Sequence, residues 1–450
     1  MFDVIIKNGN CLLSDPKNPD RILEEKVDIG IRDGYIQEIG SLSKSQASQV
    51  LSFPHLHILP GLIDSQVHFR QPGLEYKEDI EHGSLGAIKG GITAFFEMPN
   101  TKPPTMNQEA LDVKINLAQQ KSYCDFAFYL GAAKENASQL NEIENKEFCC
   151  GVKVFLGNST GNLAVDDEDT LNIVMKNRRR MTSIHSEDEK RLVERKHFSE
   201  QKPHRAHNHA VWRDATSALL STKRIVGLAR KYQTPLHILH VSTKEEMDFL
   251  KNHRDLVSVE VTPQHLTLFA PDCYDRYGSF VQMNPPIRDK SHQEALWKAL
   301  QKGWVDIIGS DHAPHTKEEK EKPYPQSPSG LPGTQTLLPL MLNHVHNKKL
   351  DLKTLVKLLA HNPARRFKVK DQGQIKVGHR AHFTVVDLKA KKTIESKWLA
   401  SKCAWSPFEG WSVMGWPVAT LLYGKTVVQE DELLCQKPLG QGIGFTDLSL

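Results

Sequence analysis

Leu62-Ile63-Asp64-Ser65-Gln66-Val67-His68-Phe69-Arg70 reads as an apolar strand that runs out into a histidine and an arginine. The same arrangement recurs along the middle of the chain. Apolar runs at 151–156, 181–185, 235–240 and 305–309 carry or meet Lys153, His185, His240 and Asp311. Further strand candidates lie at 58–67, 92–98, 125–130 and 257–261, with helical patterns between them at 79–89, 107–120, 213–231 and 244–252. Strands that alternate with helices predict a parallel sheet, and eight such units predict a closed (β/α)8 TIM barrel. In that fold His68, Lys153, His185, His240 and Asp311 would all reach the C-terminal rim, where barrels of this kind carry their chemistry.

Outside the middle the chain changes character. The first 55 or so residues read as short strands with a hairpin signal at Asp33-Gly34. The last part offers strands at 382–387, 418–423 and 426–429, with a turn at Gly424-Lys425. The predicted division is a β-sandwich subdomain built from both termini, residues 1–55 plus 375–450, around a barrel of residues 56–374. The stretch 317–329, dense in Lys, Glu, Pro and Ser, reads as a mobile surface loop, with a lid over the site as the alternative.

Composition narrows the function classes. The chain has 450 residues, 39% hydrophobic and 25% charged, with a formal net charge of +4. So small a charge gives no reason to expect a nucleic acid or an anionic membrane as partner. Arg178-Arg179-Arg180 reads as a solvated loop before a strand. Seven cysteines without a CxxC spacing read as reduced thiols. With no secretory leader pattern and no apolar run near the ~20 residues needed to span a bilayer, the expected place is the cytoplasm. Most of the 21 histidines, among them His55, His57, His82, His204, His207, His209, His344 and His346, read as surface or packing residues. Three histidines and an aspartate at one register of separate strands are different: imidazole and carboxylate together suit zinc.

The motifs around these residues resemble those of dihydroorotases. They are the stretch from Pro60 to Gly73 containing Asp64-Ser65-Gln66-Val67-His68-Phe69-Arg70, Gly90-Gly91-Ile92-Thr93 through Glu97-Met98-Pro99-Asn100-Thr101, Asn284-Pro285-Pro286-Ile287-Arg288, and Gly309-Ser310-Asp311-His312-Ala313-Pro314-His315. The resemblance extends from about Val4 to Val428. It implies a cyclic amidohydrolase that interconverts N-carbamoyl-L-aspartate and L-dihydroorotate in pyrimidine biosynthesis. His68 and Asp311 would bind one Zn2+ and His185 and His240 a second. A carboxylated Lys153 would bridge them, and Asp311 would also serve as general base and acid. The substrate carries a carboxylate, for which Arg70 offers a planar fork, with Asn100, Asn284 and His315 as further binding groups. A homodimer is what the family suggests.

The chain departs from that pattern at Gln66, where relatives have the first histidine of Asp-x-His-x-His. An amide oxygen is a weaker zinc ligand than imidazole, so one ion at His185 and His240 stands beside two as an expectation. Gln71 and Gln264 depart as well, near the rim. Two rival readings remain: an allantoinase- or hydantoinase-like hydrolase of another cyclic amide, and an inactive scaffold that partners an aspartate transcarbamoylase.

Overall fold

The computed structural model describes residues 1–43, 45–157 and 163–446, with the backbone alone at Pro19 and Asp20. Eight parallel strands stand side by side in chain order: Leu62–Val67, Ile92–Glu97, Asp125–Gly131, Cys149–Leu156, Met181–Ser186, Leu236–Ile238, Val257–Val261 and Ile307–Ile308. Val67 bridges His312, beyond the last strand, and the His68 N–H donates to the His312 carbonyl at 2.7 Å. These contacts bring the sheet round on itself, and the barrel expected from the alternation is present. The helices between strands begin where the sequence supplies caps. Asp79, Asn107, Asp214 and Thr243 each accept a backbone N–H from the first turn, satisfying donors that a helix start leaves open.

Two sheets cover one side of the barrel. One holds Tyr35–Gly40, Asp28–Arg32, Phe2–Lys7 and Ala47–Ser52. The other has seven strands in the order Glu432–Leu433, Lys425–Gln429, Ser412–Leu422, Phe383–Thr393, His57–Pro60, Asn10–Asp15, Asn18–Lys26. Val4, Ile6, Ile29, Ile31 and Ile36 of the first share a core with Cys11, Leu13, Ile58, Phe383, Val385 and Leu421 of the second, so the two termini build one sandwich. The expected Asp33-Gly34 turn is tight, whereas the second turn falls one residue earlier than Gly424-Lys425, at Tyr423-Gly424, with Lys425 already in the strand. Both pairs have positive φ at both residues, the geometry that matches the twist of a hairpin.

The segment 440–445 returns to the barrel. The Gly440 N–H donates to Ser122, Phe126 donates to Gln441 and Ile443 donates to Phe126. Ile443 and Phe445 then pack with Phe96, Tyr129 and Phe367 in the barrel floor.

Several expectations are corrected. The run 58–67 is two strands, because Gly61 turns to the His382 carbonyl and His57–Pro60 pairs with Phe383–Val386 instead of with the barrel. The runs 235–240 and 305–309 shorten because their ends leave the ladder, and His240 sits at φ +37°. Arg178 and Arg180 are buried, not solvated. Arg178 donates to the Arg180 carbonyl, and the Arg179 and Arg180 N–H groups donate to the buried Glu144. The seven cysteines are free thiols. Among the described residues no helix is long and apolar enough to cross a membrane.

Candidate active site

Each side chain that the sequence placed at a strand end reaches the rim, and they meet in three linked groups. In the first, His68 Nε2 lies 3.2 Å from Asp311 Oδ1, and the other ring nitrogen lies 2.6 Å from Asn100 Oδ1. The Gln66 amide donates to the same Asp311 oxygen at 2.9 Å, and its own Oε1 is buried without a hydrogen-bond partner. The departure at Gln66 therefore has a place in the site: its N–H group steadies Asp311, and its carbonyl oxygen is left buried and unpartnered.

In the second group, His185 Nδ1 and His240 Nε2 are 3.0 Å apart. His185 Nε2 is 3.0 Å from Glu187, which is clamped by the Arg213 guanidinium. A carboxylate behind a histidine fixes ring orientation and tautomer. Lys153 stands between the two groups electrostatically: its charge bears on His185, His240 and Asp311 alike. It is 1% exposed, with Nζ 4.5 Å from the Phe155 ring centroid.

The third group gathers cationic side chains around His315. Arg70 donates to the Pro314 carbonyl at 3.1 Å and lies 3.4 Å from His315 Nε2. His315 Nδ1 is 3.0 Å from Lys77 Nζ, and Lys77 pairs with Glu319 at 3.0 Å. Asn284 does not touch these residues directly. His209 holds it at 2.8 Å, and Ser329 connects the two sides, its hydroxyl 3.4 Å from His209 and its carbonyl 3.0 Å from His315.

Sequence reasoning missed several members. His209, read as a surface or packing residue, is buried and positions Asn284. Glu187 and Lys77 carried no local signal except closeness in the chain to His185 and Arg70, and Arg213, 26 positions from Glu187, carried none. The stretch 317–329 is tied down, not loose. Its Lys320 is buried and donates to the carbonyls of Gln282 at 3.2 Å and Pro328 at 2.8 Å, and Thr316 closes a capping box with Glu319. Gln264 supports the rim from behind through the Ser310 carbonyl, and Gln71 accepts the Ile80 N–H that opens the first barrel helix.

Electrostatics give the donors definite states. Burial drives the imidazoles of His240, His185 and His68 below their usual range, His240 furthest, so they are neutral with lone pairs to offer. Burial alone would raise the Asp311 carboxyl, but the His68 hydrogen bond and the neighbouring His240, His68 and Lys153 hold it well below the usual carboxylate range. Burial lowers Lys153 to about 7, against the pull of Asp311 and Glu260. A lysine amine that is readily neutral is nucleophilic.

The donors stand as two hydrogen-bonded pairs: among the described residues no three or more His, Cys, Asp or Glu side chains form a ready array for an ion. The chemistry of the set nevertheless fits one. Neutral imidazoles, an ionised carboxylate and a bare buried amide oxygen are what a divalent cation binds. The lysine between them becomes compatible with a cation only once its charge is removed. Backbone strain marks the same residues. Arg70, His240 and Asp311 have φ of +64°, +37° and +45°, a region that costs a non-glycine residue on the order of 1 kcal/mol or more.

The fold and this rim can be set beside known proteins. The amidohydrolase family model matches residues 57–427. A dihydroorotase of Pyrococcus abyssi is 36% identical over 421 residues, covering 92% of this chain and 94% of its own. One of Methanothermobacter thermautotrophicus is 35% identical over 438 residues, 96% of each chain. Among solved structures, an L-hydantoinase (dihydropyrimidinase) from Arthrobacter aurescens superposes with a TM-score of 0.91 at 28% identity, over 99% of this chain and 100% of that one. A dihydropyrimidinase from Brevibacillus agri superposes with a TM-score of 0.89 at 23% identity over 99% of each chain, a likeness of fold alone.

Proposed function

Because this chain belongs to the amidohydrolase family and, within it, to the dihydroorotases, we propose that its rim interconverts N-carbamoyl-L-aspartate and L-dihydroorotate. The observation that carries this reading is one site in which an ionised, oriented Asp311 stands with neutral His68, His185 and His240 around Lys153, beside the cationic Arg70. His68 and Asp311 on one side and His185 and His240 on the other would hold Zn2+, with a carboxylated Lys153 between them. When bound, the ion supplies an acidified water and polarises a carbonyl.

The chain's own groups do the rest. Arg70 receives the substrate carboxylate, with His315 beside it, and Asn100 and Asn284 offer amides to the carboxylate and ring. In ring opening, the water oxygen bonds to the ring amide carbon and the carbon–nitrogen bond breaks. Asp311 takes the water proton and returns it to the departing nitrogen, so it ends as it began. In ring closure, the ureido nitrogen bonds to the side-chain carboxyl carbon, Asp311 carries its proton, and water leaves. Lys320, by pinning the segment that carries Ser329, keeps His315 and His209 in register with the rim. The solved hydantoinase shares the fold and the superfamily. The Arg70–His315–Lys77 group favours a substrate with a carboxylate.

The test is direct. Full-length protein, loaded with zinc and bicarbonate, should close N-carbamoyl-L-aspartate and open L-dihydroorotate. Intact-peptide mass should show a carboxyl group on Lys153, and metal analysis should give one or two Zn2+ per chain. Absence of turnover of both reactants by metal-loaded protein overturns the proposal and leaves the scaffold reading.

A further inference from the structure

A cavity of about 1290 Å3 lies far from the rim, at the N-terminal ends of the last two barrel strands. Its position follows from the chain. Arg254 precedes the strand Val257–Val261 and Asp306 precedes Ile307–Ile308, whereas the rim residues His240 and Asp311 follow their strands. The other walls come from the helical stretch Leu352–Phe367 and from the segment leading to Phe383–Thr393.

The charges of this cavity are one-sided. Its carboxylates are Asp306 and Asp351, and both are committed. Asp306 is buried and holds Arg254 at 2.5 Å and Arg366 at 2.7 Å. Asp351 caps a helix, accepting the N–H and hydroxyl of Thr354. Lys348, Lys349, Lys357 and Lys376 also line the cavity, and none of the four has a carboxylate within ion-pair distance among the described residues. His379 lines it too, with Nδ1 buried and without a hydrogen-bond partner. Leu300, Val305, Leu352 and Leu358 add an apolar portion to the lining.

Four lysines without carboxylate partners around one concavity give it a positive potential, which an anion relieves. A net charge of only +4 over the chain makes the concentration here a local property. The floor is preset, because Asp306 fixes Arg254 and Arg366 before anything binds. We propose that this cavity binds a small molecule carrying several phosphate groups, held by Lys348, Lys349, Lys357 and Lys376, with any organic part against the apolar wall. The site is distinct from the rim and independent of the reaction proposed there.

The experiment is calorimetric titration of the full-length, zinc-loaded protein with ATP and, separately, with inorganic tripolyphosphate, both without magnesium and at low salt. Both should bind, and affinity should fall steeply as salt rises toward 0.2 M, where the screening length drops below ~10 Å. ATP binding tighter than tripolyphosphate assigns a role to the apolar wall, and equal binding assigns recognition to the phosphates alone; either supports the site. K348Q/K349Q/K376Q should weaken both at least about tenfold while leaving turnover and Tm as they were. K348R/K349R/K376R, which keeps the charge, should retain binding even if the first variant folds poorly. No binding of either probe overturns the proposal. So does binding that survives the glutamine substitutions, which would place the anion at the Arg70 rim.

Discussion

Asp125 and Asp311 are buried aspartates at opposite ends of the same barrel, and they are treated differently. Asp125 opens the third barrel strand. It accepts five hydrogen bonds spread over both oxygens: from Gln372 at 2.8 Å, Arg380 at 2.6 Å, His382 at 3.0 Å, Tyr423 at 2.7 Å and the Gln441 N–H at 2.9 Å. Asp311 follows the last strand and has two neighbours, Gln66 and His68, both on one oxygen. Asp125 lies in regular strand, whereas Asp311 is held at φ +45°. The saturated carboxylate fastens the barrel to the C-terminal part of the chain, from Gln372 to Gln441. The under-coordinated one, which we propose carries the proton, leaves an oxygen open and sits in a strained backbone. Strain and spare valence gather where the site is, and relaxed, satisfied contacts gather where stability is made.

The contrast can be broken from either end. Asp311→Asn removes the proton carrier and should lower kcat by roughly 10²–10⁴-fold while changing stability by about 1 kcal/mol or less, as measured by steady-state kinetics and urea unfolding. Asp125→Asn should do the reverse. Leaving the Arg380 charge without its partner should cost about 3–5 kcal/mol of stability, with the folded fraction keeping its specific activity. The acid limb separates the two further. The charges of His382 and Arg380 overcome the effect of burial and hold Asp125 below its usual range. Its contribution is therefore fully present above its unfolded value of ~3.9 and is lost as pH falls through the folded value. Asp125→Asn should flatten the loss of stability in acid; a wild-type slope in the variant would remove Asp125 from this role. The smallest effect is expected at His209→Gln. Loosening Asn284 should raise KM by a few-fold, up to about tenfold, and leave kcat nearly unchanged. A matching fall in kcat would mean that His209 does more than position.

The legibility of the two ends differs for the same physical reason. The rim could be read because its residues mark local patterns: an apolar run of strand length followed by His68, His185, His240 or Asp311. The pattern could not show who supports them. His209 reaches Asn284 across 75 positions and Gln66 reaches Asp311 across 245, and neither pairing leaves a periodic trace. Lys320 was misread because a run of Lys, Glu and Pro resembles a solvated loop, whereas its ammonium turns inward to two carbonyls. Arg178 and Arg180 misled in the same way. At the floor, Asp125 looked like the polar start of a strand, and its partners 372 to 441 could be found only in three dimensions.

The return of the segment 440–445 to the barrel floor has a kinetic consequence. Phe445 rests against Phe96 with ring centroids 5.7 Å apart, and the Gln441 N–H completes the shell around Asp125. A nascent chain on the ribosome therefore cannot seal the barrel floor until residues 440–445 have emerged. The seven-stranded sheet must likewise wait to join Asn10–Asp15, His57–Pro60 and Phe383–Thr393. Contacts so distant in sequence make for slow acquisition of the native state and a long interval with open strand edges.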